Sequence, residues 1–71
     1  MNESDRRRRI RHDLRTPLTI VSGFAEVLAA DRVISDADRR EYAARIHAAA
    51  LEIGELVDKL LDGPADGDQA A

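Results

Sequence analysis

The spacing of apolar residues in the second half of this 71-residue chain restricts its fold more than any other feature. These residues recur at alternating steps of four and three: Tyr42, Ile46, Ala49, Ile53, Leu56 and Leu60. Because an α-helix completes a turn in about 3.6 residues, this spacing aligns them on one helix face. Ser35 precedes the pattern as a candidate N-cap, and Gly63 and Pro64 follow it as a stop signal. We therefore predict a helix over residues 36–62.

The first half of the chain carries a similar but less regular pattern. Its apolar stripe consists of Ile10, Leu14, Leu18, Val21, Ala25 and Leu28. This spacing indicates a first helix over residues 4–30, with Asn2 or Ser4 as its N-cap. Residues 31–35 are a connection short enough for an antiparallel hairpin. Residues 63–71 contain no large apolar side chain, and we expect them to form a disordered tail.

The size of the chain indicates that one hairpin does not suffice. With no cysteine, the chain has neither disulfides nor cysteine-bound zinc to stabilise it. Each helix of a single hairpin covers only part of the apolar face of the other, whereas two hairpins cover both faces. We therefore predict an all-α fold in which a helical hairpin, residues 1–62, dimerises into a four-helix bundle. A three-helix arrangement with another protein is the alternative.

The charge of the chain is unevenly distributed. The net charge is −3, yet residues 1–15 contain six arginines against three acidic residues. A basic segment of this kind suggests nucleic acid or anionic lipid as a partner. The alternative is a solvated helix end whose arginines meet acidic groups of a second copy or of another protein. No aromatic residue is interleaved with the arginines, which disfavours a nucleic-acid interface. No apolar run approaches the roughly 20 residues of a membrane span, so we predict a soluble, cytoplasmic chain without membrane contact.

A polar cluster interrupts the first predicted helix. The sequence "HDLRTPLT", which begins at His12, includes a proline, and proline costs about 3 kcal/mol in a helix interior. His12 lies about 160° from the apolar stripe of this helix, so we expect it to face solvent. Thr16 and Thr19 point in about the same direction. Asp13 and Arg15 fall on opposite flanks, each about 100° from the stripe.

This cluster closely resembles the H-box of sensor histidine kinases, the motif of their dimerisation and histidine-phosphotransfer domain. The helix–loop–helix plan resembles that domain as well. The resemblance implies that His12 is the phosphoacceptor and that Asp13 is its general base or orienting group. It also implies a phosphatase-type role for Thr16 and a bend in the helix at Pro17. Arg15 is predicted to interact electrostatically with a phosphoryl group or, alternatively, to form a surface salt bridge.

The resemblance further implies a phosphotransfer module of two-component signal transduction. In such a module, His12 accepts a phosphoryl group from an ATP-binding kinase domain and passes it to an aspartate of a response-regulator receiver domain. The 71 residues contain no glycine-rich lid and no asparagine box. We therefore predict no cofactor or metal on this chain, with ATP and Mg²⁺ held by partner domains, and its status as an enzyme stays open. The alternatives are a non-catalytic dimerisation or adaptor hairpin and a basic nucleic-acid binder.

The chain departs from the H-box pattern just before the histidine. The family usually has an aromatic or apolar residue several positions upstream and often a small residue next to the histidine. Here arginines occupy those places, at residues 6–9 and at Arg11. The second histidine, His47, has no motif around it, and we predict it to be an ordinary surface residue.

Overall fold

Two helices of equal length form the structure. The computed structural model describes residues 2–62. Helix α1 spans Glu3–Ala29 and helix α2 spans Asp36–Asp62, and the two pack against each other in antiparallel orientation. The predicted all-α helical hairpin is confirmed. The predicted disordered tail, residues 63–71, lies outside the described residues, and the four-helix dimer stays a prediction.

Both helices begin at a polar cap. The side-chain oxygen of Asn2 accepts a hydrogen bond of 2.8 Å from the backbone N–H of Asp5. The Ser35 hydroxyl oxygen accepts a bond of 3.0 Å from the backbone N–H of Asp38. Each bond satisfies one of the N–H groups that a helix start leaves without an intrahelical partner, and such a cap contributes about 1 kcal/mol. Asn2 is thus the cap of α1, and Ser4 lies within the helix.

The apolar face of α2 is the one its spacing predicts. Ala49 and Leu56 are buried between the helices, with 4% and 8% of their surface exposed. The remaining members of the predicted face are half-buried: Tyr42, Ile46, Ile53 and Leu60. This agreement follows from the strict period of four and three, because a helix with that period has only one apolar face to bury.

The predicted apolar stripe of α1 is partly wrong. Ile10 is buried as expected, but Leu18 is 52% exposed and Ala25 is also exposed. The structure instead buries Pro17 completely. Three further apolar residues on this side of α1 are half-buried: Ile20, Phe24 and Val27. The physical reason is packing: the apolar ring of Pro17 lies against α2, and Leu18, about 100° further around the helix, is thereby turned toward solvent.

An aromatic pair joins the helices near the loop. The rings of Phe24 and Tyr42 stack with their centroids 5.1 Å apart and an interplanar angle of 28°. The Arg45 guanidinium carbon lies 5.9 Å from the centroid of the Phe24 ring, and Arg45 also forms an ion pair of 3.0 Å with Glu41. Offset aromatic pairs contribute about 0.5–1.5 kcal/mol beyond their buried area, so this cluster stabilises the loop end of the hairpin.

Arg6 joins the helices at the open end of the hairpin. Its guanidinium group donates hydrogen bonds to the carbonyl oxygens of Lys59, at 2.8 Å, and Leu60, at 3.4 Å. These carbonyls belong to the last turn of α2, where no N–H of the helix follows to bond them. A cation is also favoured there by the helix dipole. Arg6 therefore caps α2 from the first turns of α1, a role the sequence did not reveal.

Candidate functional site

The polar cluster of the H-box motif lies on the outer face of α1. His12 is exposed, and so are the side chains predicted to act with it: Asp13, Arg15, Thr16 and Thr19. Pro17 lies about 140° around the helix axis from His12, which places the buried proline against α2 and the histidine toward solvent. Helix α1 is continuous through Pro17. The predicted bend at this position stays a prediction.

His12 borders two shallow grooves on this surface. Arg8, Arg11 and Arg15 line the first groove together with His12. Asp5, Arg8 and Arg9 line the second one, again with His12. Side chains three or four residues apart on a helix have Cβ atoms about 5–6 Å from each other, so guanidinium groups one turn away reach the imidazole region. The histidine therefore lies in a positively charged surface that can receive an anionic group.

Asp13 lies beside this surface rather than within it. It is about 100° around the helix from His12, on the flank opposite Arg8, Arg11 and Arg15. Within residues 2–62, Asp13 and His12 form no side-chain hydrogen bond with each other. Catalytic hydrogen bonds are often long in a free protein and tighten only in the reacting complex, so this separation is compatible with a base role.

The first two arginines of the basic segment are held by Glu3. Its carboxylate forms ion pairs of 3.3 Å with Arg6 and 2.8 Å with Arg7. The hydrogen bond from Arg6 holds the pKa of the Glu3 carboxyl below its ordinary value of 4.5, partial burial opposes this, and Arg7 lowers the pKa further. These two arginines therefore serve the structure of the hairpin end rather than the histidine.

The remaining arginines near His12 are not held by a close ion pair as Arg6 and Arg7 are. Arg8 forms a long ion pair of 3.8 Å with Asp5. Over the described range 2–62, Arg9, Arg11 and Arg15 form no ion pair, and this includes the salt bridge considered for Arg15. From the sequence alone, Arg8, Arg9 and Arg11 were only part of a basic segment, whereas Arg15 was already predicted to interact with a phosphoryl group. Their spacing from the histidine, four residues for Arg8 and one for Arg11, was the available signal.

The described residues offer no metal site. Between residues 2 and 62, no three histidine, cysteine, aspartate or glutamate side chains lie close enough together to hold a metal ion. His47 is exposed on α2. Neither helix of this described segment combines the length and the apolar content that crossing a membrane requires.

The chain matches the model of a known family. Residues 8–62 match the His Kinase A (phospho-acceptor) domain. The match covers more than half of the chain, so this protein belongs to that family, and the family assignment made from the H-box is confirmed. The fold agrees, because the matched residues include most of α1 and all of α2.

Sensor proteins contain segments similar to this chain. The chain is 41% identical over 51 residues to the sensor protein KdpD of Escherichia coli K12, covering 72% of this chain and 6% of KdpD. It is 43% identical over 51 residues to the sensory/regulatory protein RpfC of Xanthomonas campestris pv. campestris, covering 72% and 7%. For the uncharacterized sensor-like histidine kinase R01002 of Rhizobium meliloti, the identity is 34% over 55 residues, covering 75% and 10%. The chain thus spans at most 10% of the length of these relatives. No solved structure matches the chain significantly.

Proposed function

We propose that this chain is the phosphoacceptor module of a two-component system. His12 accepts a phosphoryl group from an ATP-binding kinase domain and passes it to an aspartate of a response-regulator receiver domain. The observation that carries the proposal is the exposure of His12 within an H-box motif, on a hairpin that belongs to the phosphoacceptor family.

The transfer onto His12 is a nucleophilic displacement at phosphorus. The lone pair of Nε2 forms a bond to the γ-phosphorus of ATP as the bond from that phosphorus to the bridging oxygen breaks, and its electron pair leaves with ADP. Asp13 takes the proton from Nδ1, which leaves the phosphorylated imidazole neutral. In the second transfer, a carboxylate oxygen of the receiver attacks the phosphorus. The N–P bond breaks, its electron pair returns to Nε2, and the ring regains a proton at Nδ1.

The other residues of the motif have supporting roles in this proposal. Arg15 offsets the negative charge of the phosphoryl group, because a guanidinium group forms charge-assisted hydrogen bonds to phosphate oxygens. Thr16, one turn after His12, positions the attacking water when the module also acts as a phosphatase. Pro17 bends α1 beside the reacting histidine.

The module works with partners. Domains of this family dimerise and act with kinase and receiver domains, and we propose that this chain forms a homodimer. Leu18 of α1 and Leu51 and Leu61 of α2 are exposed in the single hairpin and supply apolar surface for the four-helix bundle. ATP and Mg²⁺ bind to the kinase domain, and the module acts in the cytoplasm.

Phosphate mapping tests the proposed function. The chain is incubated with candidate kinase domains and ATP, and the phosphorylated residue is identified by mass spectrometry. We expect an acid-labile, alkali-stable phosphate on His12. His12→Gln should abolish uptake and keep the helical content, because the side chain is exposed, while the matched variant His47→Gln should behave like the wild type. Phosphate on His47, or full uptake by His12→Gln, would contradict the proposal, and a stable dimer without any phosphate would favour the adaptor alternative.

A further inference from the structure

The four arginines nearest His12 divide between two flanks of α1. Relative to His12, Arg8, Arg15 and Arg11 lie about 40°, 60° and 100° around the helix, all on one side. Arg9 lies about 60° away on the other side, which is the side of Asp13. The three arginines on the first side line one groove with His12. We name these three residues, Arg8, Arg11 and Arg15, the guanidinium cradle.

The side-chain directions of a helix bring the cradle and the histidine together. Helical side chains tilt toward the N-terminus, so the imidazole of His12 lies over the turn that contains Arg8. For the same reason, the side chain of Arg15 extends back toward His12. Arg11 borders the same groove. The cradle thus approaches the imidazole from its own turn and from the turns before and after it.

The structure leaves the cradle available for a ligand. Arg6 and Arg7 are bound by Glu3, whereas in the described part of the chain the cradle has one acidic contact, the 3.8 Å pair of Arg8 with Asp5. Both members of that pair are largely exposed, and exposed pairs contribute about 0–1 kcal/mol. An incoming anion therefore displaces Asp5 from Arg8 at small cost.

We propose that Arg8 and Arg11 act with Arg15 to bind the oxygens of the phosphoryl group at His12. This inference rests on the proposed function and adds two binding residues to it. The ligand is a phosphoryl group with two negative charges, and three guanidinium groups on one flank match it in charge and in hydrogen-bonding geometry.

The position of Asp13 agrees with the placement of the three cradle arginines on one flank of α1. Asp13 lies on the flank opposite the cradle, about 140° around the helix from Arg8. The two flanks therefore separate the two tasks, with phosphate oxygens bound on one side of His12 and the ring proton removed on the other.

A small phosphoryl donor tests the cradle without a kinase domain. Phosphoramidate transfers its phosphoryl group as the lone pair of an imidazole nitrogen attacks phosphorus, the donor P–N bond breaks, and ammonia leaves with that electron pair. The initial rate of His12 phosphorylation is measured for the wild type, Arg8→Gln/Arg11→Gln and Arg8→Lys/Arg11→Lys. The matched control is Arg32→Gln/Arg40→Gln, which removes the same charge from exposed positions near the loop. Circular dichroism verifies that each variant keeps its helical content.

We expect the Gln double variant to be phosphorylated about 10-fold more slowly, within the range by which local positive potential raises the encounter rate of anions. The Lys variant should recover most of the rate, and the control should stay within about 2-fold of the wild type, because exposed charges distant by more than about 10 Å are screened at 0.1 M salt. Added salt should slow the wild type more than the Gln variant, a difference that a purely structural role of the arginines would not produce.

The outcomes separate this inference from the proposed function. If the wild type is phosphorylated on His12 and the Gln double variant reacts equally fast, the proposed role of the cradle in binding the phosphoryl group is wrong, and the phosphoacceptor role of His12 stands. An equal loss of phosphorylation rate in the Arg32→Gln/Arg40→Gln control also contradicts the proposed role of the cradle, because the change in net charge then explains the effect. If neither phosphoramidate nor any kinase domain phosphorylates the wild type on His12, both proposals fail.

Discussion

Pro17 determines, at the scale of single residues, which side of α1 meets α2. Its ring is completely buried, and the helix continues on both sides of it. Since Pro17 has no N–H, the carbonyl oxygen of Asp13 receives no intrahelical hydrogen bond from it. The residue that orients His12 toward solvent therefore also removes one intrahelical hydrogen bond, at the carbonyl group one position after the histidine.

Asp13 provides a prediction about the rate of transfer. Asp13→Asn keeps the size of the side chain but cannot accept the Nδ1 proton, so we expect phosphorylation of His12 to slow by about 10²- to 10⁴-fold. The side chain is exposed, so folding should be unchanged. The rate is measured with a kinase domain and ATP, beside the thermal unfolding of both proteins. A variant that reacts at the wild-type rate would show that Asp13 is not the base.

Glu3 provides a prediction about pH. The hydrogen bond from Arg6 holds the pKa of its carboxyl below 4.5 in the folded chain, so the unfolded chain binds this proton at higher pH than the folded one. The contribution of Glu3 to stability is therefore complete above about pH 4.5 and is lost as the pH falls through the lowered pKa.

This dependence is measured by urea unfolding, followed by circular dichroism, between about pH 3 and pH 6. Glu3→Gln should remove part of the loss of stability at low pH. Glu52 forms no ion pair within residues 2–62, so Glu52→Gln serves as the control and should keep the wild-type profile. Identical pH profiles for Glu3→Gln and the wild type would contradict the role assigned to this carboxylate.

At the scale of the helices, the buried face of α2 was predictable from the sequence, and that of α1 was predictable only in part. The face of α2 follows from its apolar spacing, and the cap at Ser35 follows from a local sequence signal. On α1, the side chains of Leu18 and Pro17 are neighbours in sequence, and hydrophobicity alone favoured the leucine. Whether Leu18 or Pro17 is buried depends on packing against α2, and the local sequence of α1 contains no information about that packing.

The contacts of Arg6 were unpredictable for a related reason. Its acceptors, the carbonyls of Lys59 and Leu60, are backbone groups more than 50 positions away in the sequence. Any basic residue near the start of α1 could have served, and five other arginines lie within residues 1–15. Of the candidate site, the position of His12 and its motif on the outer face of α1 could be predicted from the sequence. Which arginines are held by Glu3 and which line the groove beside His12 could be seen only in the folded hairpin.

At the scale of the whole molecule, the small core makes each buried residue important. Leu56 is one of the few buried side chains of the described hairpin, and Leu→Ala changes in such positions cost about 2–5 kcal/mol. Small domains have only about 5–15 kcal/mol of stability in total. Leu56→Ala should therefore lower helicity and dimer content together, measured by circular dichroism and sedimentation.

The control for this change is Val33→Ala, because Val33 is fully exposed in the loop and surface changes usually alter stability by less than about 0.5 kcal/mol. A Leu56→Ala protein that keeps the helicity and the dimer content of the wild type would contradict the core assignment, and a wild-type protein that is a stable, fully helical monomer would contradict the predicted dimer.

The stacked aromatic pair near the loop gives the protein an intrinsic fluorescence signal. Tyr42 is the single tyrosine of the chain, and the sequence contains no tryptophan. All intrinsic emission above the phenylalanine range therefore arises from one ring, which lies against Phe24 where the two helices are joined. A change of Tyr42 fluorescence during phosphorylation at His12 would register motion at the loop end of the hairpin, without any dye or engineered residue.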